Sequence, residues 1–364
     1  MASVQGAVLQ SDAIEPIIMP PRSLGRRFAL FIQVWSFKIF VNSTLAILRV
    51  FKIGGIGVFR PTYTKTYPVG ARLQNSVWLP ESYKSGQTLP LLIDIHGGGF
   101  VIGDTGQGLS LARLLATLGT NMTPRDVEWC RYLANEHGFC VVSLDYRKAP
   151  SYPFPYQTED LVEIVQEVLK DNDMPVDKTK IAICGFSAGA KHALSISQKD
   201  ELQHKIKALL LWYPVVDFSG KYKGTFRPAS DGSPDMLLKT SEMFNYAYVP
   251  EGQDRRDPLL SPIYADRSKL PEKIFFIGAE YDVLCHEAEI AADLYANAEH
   301  ANEKIGDDNE WRAGGIFWKR VLDAQHGFNF VRKRWNAAAE AKRLDITAKM
   351  YEAAAVWLKR EVYS

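Results

Sequence analysis

Gly185-Phe186-Ser187-Ala188-Gly189 is the stretch from which the rest of the chain is read. A short apolar run, Ile181-Ala182-Ile183-Cys184, precedes it, and a helix-prone run, Ala190-Lys191-His192-Ala193-Leu194, follows. Strand, then Gly-x-Ser-x-Gly, then helix is the context that gives the pattern meaning. The turn must be tight enough to strain the serine backbone, and glycine two residues to either side removes Cβ atoms that would collide. The serine hydroxyl then stands clear of the sheet at the N-terminus of a helix, where the dipole favours negative charge. Alone, the pentapeptide is weak evidence, because small residues fill many surface turns. Its weight depends on partners elsewhere.

Upstream, Leu91-Leu92-Ile93-Asp94-Ile95 reads as a buried strand that runs directly into His96-Gly97-Gly98-Gly99-Phe100. Three glycines after a strand lower stability, since glycine loses the most conformational freedom on folding. Their use is to bring backbone N–H groups close to a ligand. Further buried strands are expected at 140–144, 206–213, 273–278 and 318–322. Helices are expected at 109–118, 127–137, 159–171, 287–298 and 337–362. Edge strands are expected within 63–79, where Val69, Ala71, Leu73, Val77 and Leu79 alternate in places. This strand–helix repetition predicts an α/β fold with a doubly wound, mostly parallel sheet. With no internal repeat or low-complexity linker, the expected organisation is a helical cap over 1–60 and a catalytic domain over 61–364. A lid-like insertion is expected at about 219–256, with helix-prone residues at 236–247.

The bulk composition narrows the function. The chain has 364 residues, 46% of them apolar, and a formal net charge of +1. That suits one large α/β enzyme and implies no strongly charged partner. There is no basic stripe interleaved with aromatics, so nucleic acid is not expected. Cys130, Cys140, Cys184 and Cys285 show no CxxC spacing, and no His-Glu-x-x-His or clustered His/Cys set calls for a metal. No cofactor is expected. Free thiols and the absence of a basic-then-apolar leader at 1–21 fit a cytoplasmic protein. Residues 28–51 are rich in large apolar side chains, but Lys38 and Arg49 divide them into pieces short of the ~20 residues a bilayer span needs. One or two capping helices are the preferred reading, and a helix lying on a membrane surface is the alternative. The sequons Asn42-Ser43-Thr44 and Asn121-Met122-Thr123 matter only in a secreted protein.

A serine hydroxyl is a poor nucleophile until a base sits within hydrogen-bond reach and an acid fixes the tautomer of that base. With the chain order serine, acid, histidine, the acid is Asp282, just past the strand at 273–278. It is preferred to Glu280, two residues earlier, and to Asp323, too close to the base in sequence to reach its ring. Only His286, His300 and His326 follow Asp282. His326 is the best base, because it follows a strand and precedes Gly327. Backbone N–H groups of Gly97, Gly98 and Ala188 are the expected oxyanion donors.

His96-Gly97-Gly98-Gly99, Asp145-Tyr146-Arg147 with Ala149-Pro150 and Pro153-Phe154-Pro155, Gly185-x-Ser187-Ala188-Gly189, Asp282-Val283-Leu284 and His326-Gly327-Phe328 occur in this order. Together they resemble the hormone-sensitive-lipase-like branch of the α/β-hydrolases, from about residue 91 onward. The resemblance implies an eight-stranded sheet, an N-terminal cap and hydrolysis of carboxylic esters. It aligns Ser187, Asp282 and His326 with the family's triad, and Gly97, Gly98 and Ala188 with its oxyanion hole. The chain departs from the pattern at Phe186, where a small or acidic residue is usual, and in longer segments at 105–125 and 298–316, three departures expected to reshape the acyl or alcohol pocket and to favour acyl transfer as an alternative. The expected reaction is cleavage of an apolar small-molecule ester through an acyl-enzyme. Acyl transfer, condensation or cyclisation in secondary metabolism is the alternative, and an inactive binding protein a third reading.

Overall fold

The computed structural model describes residues 15–51, 60–69, 72–103, 127–230, 232–300, 303–331, 333 and 336–364, with the backbone alone at 41–42 and 44–51. The expected helix at 109–118, and with it the long 105–125 segment, lies outside them. Ten strands are described: β1 Tyr63–Thr66, β2 Gln74–Trp78, β3 Leu89–Ile95, β4 Cys140–Leu144, β5 Val176–Phe186, β6 Ile206–Trp212, β7 Lys273–Ala279, β8 Ile305–Gly306, β9 Glu310–Ala313 and β10 Ile316–Val321. They form one sheet in the order β1-β2-β4-β3-β5-β6-β7-β10-β9-β8. Pairing is parallel from β4 through β10 and antiparallel at both edges. The eight strands implied by the resemblance are β1 to β7 and β10. The long 298–316 segment adds β8 and β9, which extend the sheet beyond β10.

The helices are α1 Leu24–Phe51, α2 Val127–His137, α3 Tyr156–Lys170, α4 Ala188–Ser197, α5 Ser241–Tyr248, α6 Cys285–Ala298 and α7 Ala337–Leu358. The central strands are buried on both faces, which is why they read as unbroken apolar runs rather than alternating ones. Alternate residues still divide between two cores. Ile93, Ile183, Leu209 and Phe276 pack with residues of α3, α4 and α6. Leu92, Ala182, Leu210 and Ile277 pack with residues of α2 and α7 on the other face. Register carries this across the sheet: Ile93 faces Val142 of β4 and Ile183 of β5. Helix α7 starts at Asn336, whose side chain accepts the Ala339 N–H at 3.0 Å, the usual service of an N-cap residue.

A third cluster lies at the carboxyl ends of the strands. Leu30 and Val34 of α1 and Met243, Ala247 and Tyr248 of α5 pack there with Phe100, Ala149, Phe154 and Ala188. The stretch read as one or two helices over 28–51 is thus part of a single helix. It buries Leu30 and Val34 and exposes Leu24, Phe28, Phe31, Ile32, Ile39 and Phe40. No helix among the described residues is long and apolar enough to cross a membrane.

One polar group breaks the dry interior. Asp94 of β3 is fully buried, accepting from the Ser143 hydroxyl at 3.1 Å and the Cys130 thiol at 3.6 Å. Burial pushes its carboxyl up to about 7, against the hydrogen bonds that hold it down. The folded protein therefore keeps a proton that the unfolded chain releases near 3.8. The resulting cost to stability is absent below the unfolded value, grows as pH rises, and is complete above about 7. Asp94→Asn should raise Tm by about 2–4 °C at pH 8 and by less than half of that at pH 5. Equal shifts at both pH values, measured by thermal unfolding, would refute this account.

Candidate active site

Strands β5, β6, β7 and β10 are neighbours, so the loops leaving their carboxyl ends meet. Ser187 follows β5, Asp282 follows β7 and His326 follows β10. Open α/β sheets place functional groups at this edge.

Ser187 occupies a strained conformation, φ 54° and ψ −114°. Its surroundings enforce that geometry. The Ser187 N–H donates to the Trp212 carbonyl at 2.8 Å, pinning the turn to the end of β6. A Cβ on Gly189 would stand 2.0 Å from the Ile95 carbonyl oxygen. Helix α4 therefore begins directly against the end of β3 and the glycine loop behind it. This approach brings the first turn of the helix against Ile95 and His96, where the glycine loop begins. Gly98 has φ 130°, and a Cβ there would meet the Ile102 carbonyl oxygen at 1.9 Å.

The three side chains named from chain order come together. His326 Nε2 lies 3.0 Å from Ser187 Oγ, and His326 Nδ1 lies 2.7 Å from Asp282 Oδ2. The remaining Asp282 oxygen accepts the Leu284 N–H at 2.9 Å. This arrangement puts the proton on Nδ1 and leaves Nε2 to accept from the serine hydroxyl. All three residues are buried, and the Tyr213 ring meets the imidazole edge-on at 4.7 Å between centroids. The Tyr213 hydroxyl donates to Asn329 Oδ1 at 2.6 Å.

The rejected alternatives are engaged elsewhere. Glu280 accepts the Asp323 N–H at 2.8 Å, and Asp323 pairs with Lys342. His286 lies in the first turn of α6, against Gly224, and His300 in the turn after that helix.

The Asp145-Tyr146-Arg147 run supports the glycine loop. Asp145 Oδ1 sits 3.2 Å from His96 Nε2, and the Tyr146 hydroxyl donates to the His96 carbonyl at 3.1 Å. Tyr146 also stacks on the His96 ring. Burial acts to raise the Asp145 carboxyl, but Lys148 and His96 outweigh it and hold the group well below the ordinary range. Burial, then Lys148, holds the His96 imidazole below its ordinary value. Arg147 donates from Nε to Asp160 at 2.9 Å, tying the run to α3.

Phe186 is a core residue. Its ring is fully buried beneath the turn, stacked on Trp212 at 5.5 Å between centroids. The departure from a small or acidic residue is met by the core of the sheet.

Three positions were missed from sequence. Asp235, in the 219–256 segment, accepts the Val283 N–H at 3.0 Å and the Leu237 N–H at 2.7 Å. It thereby ties that segment to the loop carrying Asp282. Burial first, and the Asp282 charge second, raise its carboxyl. An acidic residue before the helix-prone 236–247 run signals a cap, but its reach to Val283 leaves no mark in sequence. Lys191 of α4, fully buried, donates to the Tyr248 hydroxyl of α5 at 2.7 Å. Burial holds its amine well below the ordinary value. Glu287 accepts from the Val216 N–H at 2.9 Å and from the Asp217 N–H, and burial pushes its carboxyl up to about 8.

The described residues hold no group of His, Cys, Asp and Glu placed to bind a metal. The cysteines are buried thiols, none in a disulfide.

A model of the α/β hydrolase fold matches residues 92–305, more than half of the chain. Arylacetamide deacetylase-like 2 of Homo sapiens is 32% identical over 178 residues, 46% of this chain and 40% of that protein. The gibberellin receptor GID1C of Arabidopsis thaliana is 26% identical over 224 residues, 60% of this chain and 57% of that protein. The chain thus spans about half the length of these curated relatives. A hyperthermophilic esterase from the archaeon Pyrobaculum calidifontis has the same fold, with a TM-score of 0.64, 24% identity, and 94% of this chain and 99% of that one covered.

The close approach at Gly189 yields a direct test. Gly189→Ala forces a methyl into the backbone of β3, an overpacking that costs about 1–3 kcal/mol or more. The expected result is a lowered Tm or loss of soluble protein. An unchanged melting curve would show that α4 has room to move.

Proposed function

We propose, for a chain that belongs to the α/β-hydrolase family in its hormone-sensitive-lipase-like branch, that Ser187, His326 and Asp282 form a catalytic triad that cleaves carboxylic esters. One observation carries the proposal: His326 lies within hydrogen-bond reach of both Ser187 Oγ and Asp282 Oδ2, at 3.0 and 2.7 Å.

In this mechanism Ser187 Oγ attacks the ester carbonyl carbon while His326 Nε2 takes the hydroxyl proton. Charge develops on the carbonyl oxygen, where N–H groups of Gly97, Gly98 and Ala188 stabilise it. Losing one such donor typically costs ~3 kcal/mol of barrier. Collapse of the tetrahedral intermediate breaks the bond to the alkoxy oxygen, which receives the proton from His326 and leaves as alcohol. Water then attacks the acyl-enzyme, giving a proton to His326, and the acid departs as Ser187 regains its proton. Asp282 orients the imidazole and stabilises its charged form.

The proposed substrates are apolar small-molecule esters. Phe100, Phe218, Met243 and Tyr248 form a buried apolar cluster beside the glycine loop, with the Phe100 and Tyr248 rings stacked at 3.7 Å. In this reading residues 1–60 act as a cap, 61–364 as the catalytic domain and 219–256 as a lid-like insertion. The acyl-transfer alternative loses one support, because Phe186 is a core residue. The competing reading is a binding protein on the same scaffold, as the Arabidopsis relative is a receptor by name.

Three measurements test the catalytic assignment. Ser187→Ala should abolish turnover of p-nitrophenyl butyrate, and a fluorophosphonate probe should label the wild-type serine alone. Turnover that survives the substitution, or wild-type protein that resists the probe, would overturn the assignment. Asp282→Asn should lower kcat about 10⁴-fold by favouring the wrong tautomer of His326; a loss below about tenfold would remove Asp282 from its role.

A further inference from the structure

A cavity lies between α1 and the chain around α5, lined by none of the triad residues, with a volume of about 390 Å³. That is within the roughly 300–1,000 Å³ typical of small-molecule sites. Phe31 and Trp35 of α1, Pro150, Pro153, Pro250 and Ala247 supply the apolar part of its walls. Arg22, Arg27, Glu251, Gln253 and Arg255 supply the polar part, and Arg255 is the most deeply buried of them. This side chain is 4% exposed, yet among the described residues its guanidinium donates only to a neutral group, Asn245 Oδ1, at 2.9 Å. Burial, and then the charge of Arg22, lower its affinity for a proton.

The nearby charges make that exposure to a like charge significant. Arg22 also lines the cavity, its guanidinium 5.8 Å from the centre of the Tyr246 ring. Glu251 is taken by Arg27 at 3.2 Å, and Glu242 by Arg26, with Arg22 at 3.9 Å. A buried cation without an anionic partner is costly. One negative charge placed between Arg255 and Arg22 would relieve that cost. The backbone framing the site is ordered by specific bonds: the Ile17 N–H donates to Asp254 Oδ1 and the Arg255 N–H to the Ile17 carbonyl, at 2.9 and 2.8 Å.

We infer that this cavity binds a monocarboxylate carrying an apolar body, its carboxylate on Arg255 and Arg22 and its body against Phe31, Trp35 and the prolines. A planar carboxylate matches the guanidinium fork, and a monoanion matches Arg255, the buried charge that lacks an anionic partner among the described residues. A ligand seated there touches Ala247 and Val249, either side of Tyr248, the residue that binds Lys191 on the nucleophile helix. Occupancy would therefore bear on how α5 rests against α4. The inference stands apart from the esterase reading, since it uses no triad residue.

The test is calorimetric titration of the full chain with octanoate, 1-octanol and acetate. Octanoate should bind, and octanol and acetate each roughly tenfold or more weakly. Arg255→Gln and Arg22→Gln should each weaken octanoate about tenfold, Arg255→Lys less, and Ala247→Trp should abolish binding by filling the cavity. Binding should persist in Ser187→Ala, which separates this site from the triad. Thermal unfolding without ligand checks that each variant is folded, and the half-exposed Arg22 serves if Arg255→Gln is not. No octanoate binding, octanol binding equal to octanoate, or binding indifferent to both arginine substitutions would overturn the inference.

Discussion

The structure depends on holding one serine in a conformation its backbone disfavours. Positive φ at a non-glycine residue persists only where the surroundings over-determine it. At Ser187 two constraints do so: the bond from its N–H to the Trp212 carbonyl, and the packing of Gly189 against the Ile95 carbonyl. Relaxing the turn would carry Oγ away from His326 Nε2 and the first turn of α4 away from the glycine loop. Hydroxyl and helix end are positioned by the same contact.

The neighbouring loops are held by polar groups whose burial is matched by hydrogen bonds. Asp235 fastens the 219–256 segment to the Asp282 loop, and Glu287 fastens the chain after β6. Asp145, set between His96 and Lys148, fixes the turn into the glycine loop. Each group spends its lone pairs on backbone N–H groups or on a cation, so the low dielectric strengthens the link. Removing one partner would leave the other buried and unsatisfied, which is the costly outcome. The Arg255 guanidinium lacks such an anionic match among the described residues, and it lines a cavity.

At the strand ends, α1 and α5 pack in one apolar cluster with Phe100, Phe154 and Ala188. Lys191 joins this cluster to the nucleophile helix through Tyr248. The outward face of α1 leaves Phe28, Ile32 and Ile39 exposed among the described residues.

The central sheet was legible in sequence because strands buried on both faces must be apolar throughout, and their runs stand out from the amphipathic helices between them. The elbow, the glycine loop and the chain order of Ser187, Asp282 and His326 were legible for a related reason: close backbone approach admits only glycine, and proton transfer admits few side chains. A place just past a strand end singled out Asp282, and a strand before it with Gly327 after it ranked His326 above His286. Tertiary structure decided the rest. Phe186 reads from sequence as a pocket residue, yet the pleat turns it into the core against Trp212, on the face opposite Ile183. The role of Asp235 depends on a contact 48 residues away, with Val283, and that of Lys191 on one 57 away, with Tyr248. A residue's local pattern records its own element's needs, whereas a hydrogen bond between distant loops is set by how the elements pack. Sequence alone therefore determined which residue types the chemistry uses and the sheet that carries them, and packing decided which polar groups brace the site and where a charged cavity remains.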